Sequence, residues 1–83
     1  MGVNALQIQM AALVADTEAA ILSPSAQKME ALAEAAAEIS PKRGADFQHA
    51  ANLYSQGDTQ GGLSALRVAV SEAENWFNRM MNS

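Results

Sequence analysis

Cysteine is absent from this 83-residue chain, and so is most of what catalysis usually draws on. There is one histidine, one tryptophan, one tyrosine, two phenylalanines and two prolines. No disulfide can brace the fold, and one imidazole with no thiol is a poor ligand set for a structural zinc, so none is expected. Positive charge is also scarce: five Lys and Arg stand against nine Asp and Glu, a net charge of −4. That balance lacks the basic footprint of a nucleic-acid binder and gives no attraction to anionic lipid. No apolar run is read as approaching the roughly 20 residues of a membrane span. No basic segment leads into an apolar core at the N-terminus, so no secretory signal of the usual kind is expected. Met1-Gly2 has the form of a myristoylation start, but position 6 is Leu6 where Ser or Thr is needed. The expected setting is the cytoplasm. Export through a specialised secretion system stays open, since a cysteine-free chain suits both.

What is abundant is alanine. It accounts for 18 of the 41 hydrophobic residues, leaving 23 larger apolar side chains. Alanine has the highest helix propensity but buries little area, and its small size lets backbones come close. Thin, closely packed helices around a modest core are expected. The length allows one domain over residues 1–83. A chain of this size buries only about 60% of its unfolded surface. With disulfides and metal set aside, regular helices and association remain to stabilise it.

Three breaks divide the sequence into four helical segments, at about 4–22, 25–40, 43–55 and 60–81. Asn4 is a good N-cap for the first segment. Its apolar stripe is Leu6, Met10, Leu13, Thr17 and Ala20, widened by Val14 and Ile21. Ser23-Pro24-Ser25 is the first break, because proline disfavours helix at the residue before it and suits the first turn after it. The second stripe is Met29, Leu32, Ala36 and Ile39. Ser40-Pro41 repeats the signal, and the third segment starts there or a few residues later. Whether the second and third segments are two helices or one kinked helix stays open. Phe47, Ala50, Ala51 and Tyr54 share a face. Gly57-Asp58 stops the third helix. Leu63, Leu66, Val70, Ala73, Phe77 and Met80 then recur at spacings of 3, 4, 3, 4 and 3, nearly three heptads. Gly61-Gly62 weakens the start of that segment by roughly 1 kcal/mol per glycine relative to alanine. No segment shows strand alternation. The predicted fold is all-α, a small bundle of three to four antiparallel helices.

Leu53-Tyr54-Ser55-Gln56-Gly57-Asp58, continuing to Leu66 and Ala69, resembles one tetratricopeptide-type helical hairpin across residues 46–74. Ala50 and Leu53 match that family's first helix, and Gly62, Leu66 and Ala69 match its second. Asp46 stands where the family usually has a large apolar residue, and Glu74 where it often has a proline. The first half of the chain carries no second copy. The resemblance implies a scaffold that binds peptides or helices.

Trp76, Met80 and Met81 form the preferred candidate contact site. Tryptophan is a frequent interface anchor, and methionine surfaces adapt to varied partners. Trp76 lies about 100° from Phe77 around the helix, so the two cannot easily enter one small core. The plainer reading packs Trp76 on the first segment at the core's edge. Glu30, Glu34 and Glu38, at i, i+4 and i+8, form an acidic ridge suited to a basic partner. Its plainer reading is a solvated face partly offset by Lys28, Lys42 and Arg43. Asp46 lies three residues before His49 and shares its helix face. The pair could be a general base with an orienting carboxylate, or half of a metal site, and a surface or semi-buried histidine is the plainer reading. No cofactor, metal or catalytic residue is assigned, and the chain is read as a non-enzyme. The function expected is a small interaction module, of adaptor, chaperone or inhibitor type, holding a partner helix through its C-terminal segment. The alternative is a self-assembling subunit of a ring or filament. Type III secretion needle proteins are similar in broad outline, although they have one central turn where this chain has three breaks. A protein partner or self-association is expected, with no nucleic acid and no membrane.

Overall fold

The computed structural model describes residues 2–82, and side chains from residue 4 to 82. Four helices follow one another: α1 (Gly2–Leu22), α2 (Ala26–Ile39), α3 (Pro41–Ser55) and α4 (Thr59–Met81). No strand occurs among the described residues. The all-α bundle expected from the sequence is therefore what forms.

Each break has a local chemical cause. Ser25 is extended, and its hydroxyl accepts from the Lys28 N–H at 3.1 Å, capping α2. Pro24 stays in the linker, so the cap belongs to serine. Lys28 Nζ donates back to the Ser23 carbonyl at 2.6 Å and ties the linker to the helix it precedes. Ser40 alone separates α2 from α3, at φ −162° and ψ 131°. It ends one helix and begins the next, so these are two helices. Pro41 occupies the first turn of α3, where its missing N–H costs nothing. At the far end of α3, Gly57 takes φ +94°. The Asp58 N–H donates to the Leu53 carbonyl and the Gly57 N–H to Tyr54, the paired bonds of a Schellman stop. Asp58 Oδ1 then accepts from the Gly61 N–H at 2.9 Å and opens α4. One predicted cap does not form. α1 already runs through Asn4, which is an exposed residue of its first turn. N–H groups there need no intrahelical partner, so nothing forces the helix to begin at Asn4.

Successive helices run antiparallel. Glu30 of α2 meets Gln48 of α3. Arg43, early in α3, sits over Trp76, late in α4. The backbone of α1 comes close to those of α2 and α4 but not to that of α3. The result is an elongated bundle, 40 × 19 × 17 Å, in which α3 is wedged between α2 and α4 and α1 lies across from it. Helix lengths are unequal: 21, 14, 15 and 23 residues. The start of α1 and the end of α4 therefore project past the α2–α3 corner, side by side at one end.

More than half of the fully buried apolar residues are alanine: Ala20, Ala33, Ala36, Ala50, Ala51, Ala69 and Ala73, around Met10, Leu13, Met29, Leu32, Phe47 and Leu66. Thr17 is buried with them, and its hydroxyl donates to the Leu13 carbonyl at 2.7 Å, which removes the cost of an unpaired hydroxyl. Small residues draw the helices together. A Cβ built on Gly44 would lie 2.6 Å from Ala37 Cβ, and one on Gly62 would lie 3.0 Å from the Tyr54 backbone nitrogen. The glycine that weakens the start of α4 thus permits its closest contact with α3.

That contact also turns α4 from its predicted orientation. Gly62, Leu66, Ala69 and Ala73 are innermost, while Leu63, Val70 and Phe77 are half-buried flanks. α3 approaches along the small side chains, where the backbones can come nearest, and Leu63, Val70 and Phe77, spaced by seven residues, line up together on one side of that contact. Met80 lies on the same inner face yet is 39% exposed.

Candidate functional site

α1 presents an uncovered apolar face. Its predicted stripe is correct on the inner side: Met10, Leu13, Thr17 and Ala20 are buried, and Leu6, Val14 and Ile21 half-buried. A second stripe runs along the opposite side: Ala5, Ile8, Ala12, Ala15, Ala19 and Leu22, all exposed. Ile8 is 70% exposed and Leu22 87%. The spacings are again 3, 4, 3, 4 and 3, so these residues share one face. Of the stretch from Asn4 to Leu22, only 22% is buried. The sequence expectation that no segment approaches a membrane span needs correction at this point. Gln7, Gln9, Asp16 and Glu18 interrupt the apolar run, but the average over the helix is apolar enough, and the helix long enough, to cross a bilayer.

α1 is also loosely seated. A groove of about 420 Å³ runs between it and α4, lined by Met10, Val14, Glu18 and Phe77 among others. Another of about 240 Å³ separates it from α2, between Ala19, Lys28, Leu32 and Ala35. Among the described residues, neither seam has a glycine that closes it.

The C-terminal candidates separate. Phe77 lines the α1 groove, while Trp76 is half-buried with the Arg43 guanidinium 5.7 Å from its ring centre. The two aromatics part as their positions around the helix require. The contact shown by Trp76 is with α3, where the plainer sequence reading put it on the first segment. Arg43 covers one ring face, in the geometry of a cation–π pair, and so reduces what Trp76 can offer a partner. Met80 and the half-buried Met81 extend the apolar surface at the projecting end of α4.

Glu30, Glu34 and Glu38 are exposed along α2. Glu30 is held across the α2–α3 seam by Gln48 Nε2, at 3.2 and 3.3 Å, and Gln48 also donates to Asn52. The cations expected to offset this ridge are engaged elsewhere. Lys28 reaches the Ser23 carbonyl, Lys42 pairs with Asp46 at 3.0 Å, and Arg43 covers Trp76.

His49 and Asp46 line one groove on the α3–α4 face, with Ser64 and Glu72. The carboxylate of Asp46 is taken up by Lys42 and, at 3.9 Å, by Arg43. His49 is exposed and has no hydrogen bond among the described residues. The orienting contact that a histidine base needs is therefore not formed. No group of three or more His, Cys, Asp or Glu placed to hold a metal occurs among the described residues.

Sequence reasoning missed two groupings. One is the outer stripe of α1, whose heptad spacing was available in the sequence but was masked by the inner stripe and by the small size of alanine. The other is a polar recess formed by Lys42, Arg43, Glu72, Asn75 and Arg79, which gathers three of the five cations at one end of the molecule. Those residues come from the start of α3 and the end of α4, and only the antiparallel hairpin joins them. Comparison with known protein families, curated proteins and solved structures found no match.

Proposed function

We propose that the chain is a protein-interaction module that pairs with a helix of its partner and performs no reaction. The observation that carries this reading is the outer face of α1. It is apolar over its whole length, regularly spaced for helix packing, and uncovered at Ile8 and Leu22. The total exposed area, 4910 Å², is near the roughly 4,700 Å² expected of a compact chain of this mass. The surface is thus ordinary in amount, and the distinctive feature is where its apolar part lies. The projecting end of α4, with Met80 and Met81, provides a second and smaller contact area.

A membrane-seated α1 is the competing reading, favoured by the helix's length and apolar average. Against it stand Asp16 and Glu18, three and five residues from the middle of the stretch. A carboxylate near the bilayer centre costs about 2.5–3.5 kcal/mol on insertion scales. The net charge of −4 opposes adsorption to anionic lipid as well. The protein-partner reading avoids both costs.

The test is a double substitution, Ile8→Asp with Leu22→Asp, on the uncovered face. Helicity and unfolding midpoint should stay as in the unaltered chain, because neither side chain is in the core. Association with protein, self or foreign, should be lost in sedimentation and in capture from source cells. Identical association by both forms would remove α1 from the reading, and no association by either would end it.

A further inference from the structure

We propose that the outer face of α1 is a homotypic interface on which a second copy of the chain lies antiparallel, helix against helix. The proposal rests on the interaction-module reading and names its partner. A two-fold interface must be complementary to itself, so that if residue i meets residue j, then j meets i. The exposed stripe meets that condition about its own midpoint. Laid antiparallel with Ala12 opposite Ala15, it sets Ile8 opposite Ala19 and Leu22 opposite Ala5. Every large side chain then meets a small one. The alanines at the centre let the two helix axes come close to the lower end of the 8–10 Å range of packed helices.

Charge selects the same arrangement. α1 contains Asp16 and Glu18 and no basic residue. They flank the stripe on opposite sides. Antiparallel pairing brings both carboxylates level with the uncharged Gln9–Ala11 stretch of the second copy. Parallel pairing would set Asp16 of one copy beside Glu18 of the other on both flanks, and also crowd Ile8 on Ile8 and Leu22 on Leu22. Like charges so placed are destabilising. The face is about 26 Å long from Ala5 to Leu22 at 1.5 Å per residue. One helix pair of that length lies at the small end of stable interfaces, which begin near 1,000 Å² in total. The dimer should therefore form and dissociate with concentration.

Because the natural chain has no cysteine, single thiols can map the pairing on the whole protein. A mixture of the Ala12→Cys and Ala15→Cys proteins should form a mixed disulfide under mild oxidation, the two positions being within bonding reach across the axis. The Ala5→Cys protein alone should remain uncross-linked, its two thiols being about 25 Å apart along the helices. Sedimentation of the unaltered chain should show a monomer–dimer equilibrium, and Ile8→Asp should raise its dissociation constant about tenfold or more. A monomer at every concentration overturns the proposal, as does a disulfide between two Ala5→Cys chains, which would mean parallel pairing. If the chain is monomeric while an unlike protein is held by the unaltered form and lost by the Ile8→Asp, Leu22→Asp form, homotypic pairing fails and the interaction-module reading stands. If the monomer instead floats with neutral phosphatidylcholine vesicles through Ile8 and Leu22, both fail.

Discussion

α3 and α1 are helices of the same alanine-rich chain, and they are held in opposite ways. α3 has a neighbour on either side and meets each through a glycine, Gly44 against Ala37 and Gly62 against Ala50 and Tyr54. Phe47, at its middle, is fully buried. α1 rests on two neighbours along a single stripe, with an open groove on each flank and a second apolar face turned to solvent. Small side chains thus serve two ends here. Where backbones meet, they bring helices together and make the core. Where nothing meets them, they leave a smooth strip on which another helix can lie.

The comparison can be tested at both helices. Phe47→Ala should have the largest effect, about 3–5 kcal/mol of lost stability in chemical denaturation, because an emptied aromatic site at the centre of α3 cannot collapse fully. A loss under 1 kcal/mol would show that α3 is not the organising helix. Gly44→Val should follow, at about 2 kcal/mol. The added carbons meet Ala37 at sub-contact distance, and overpacking must separate α2 from α3. An unchanged midpoint would mean that the seam can open freely. Amide exchange in dilute solution should show α1 opening roughly tenfold or more readily than α3, a difference of about 1.4 kcal/mol in local stability. Equal protection would remove the contrast.

Smaller effects should come from the surface. Arg43→Ala should cost about 0.5–1 kcal/mol and change the emission of the single tryptophan, since the guanidinium over its ring is lost. A silent emission spectrum would place Arg43 away from Trp76 in solution. Ile8→Gln and Leu22→Gln, each measured below the association threshold, should shift stability by less than about 0.5 kcal/mol, as exposed positions do. A larger loss would place them in the fold and not on a binding face.

Much of the architecture was legible along the chain. The inner stripes of α1, α2 and α3 follow from apolar spacing, and the breaks at Ser23-Pro24-Ser25, Ser40-Pro41 and Gly57-Asp58 follow from turn and cap chemistry. The candidate surface was less legible. Attention went to Trp76 because of its residue type, and its neighbour Arg43 is 33 positions away in sequence. The acidic ridge was visible, but the Gln48 side chain that holds Glu30 was not, because it belongs to another helix.

By itself, then, the order of residues determined which segments are helical, where they stop, and which side of each helix is apolar. These properties depend on neighbours a few positions apart, through backbone hydrogen bonds, caps and a 3.6-residue period. Tertiary structure alone decided which apolar side is covered. It turned α4 onto Gly62 and Ala69, left Met80 partly exposed near the end of α4, and gave α1 two apolar faces with a neighbour for only one. Coverage depends on how near another helix can come and how far it extends, and both are set by contacts between residues distant in sequence.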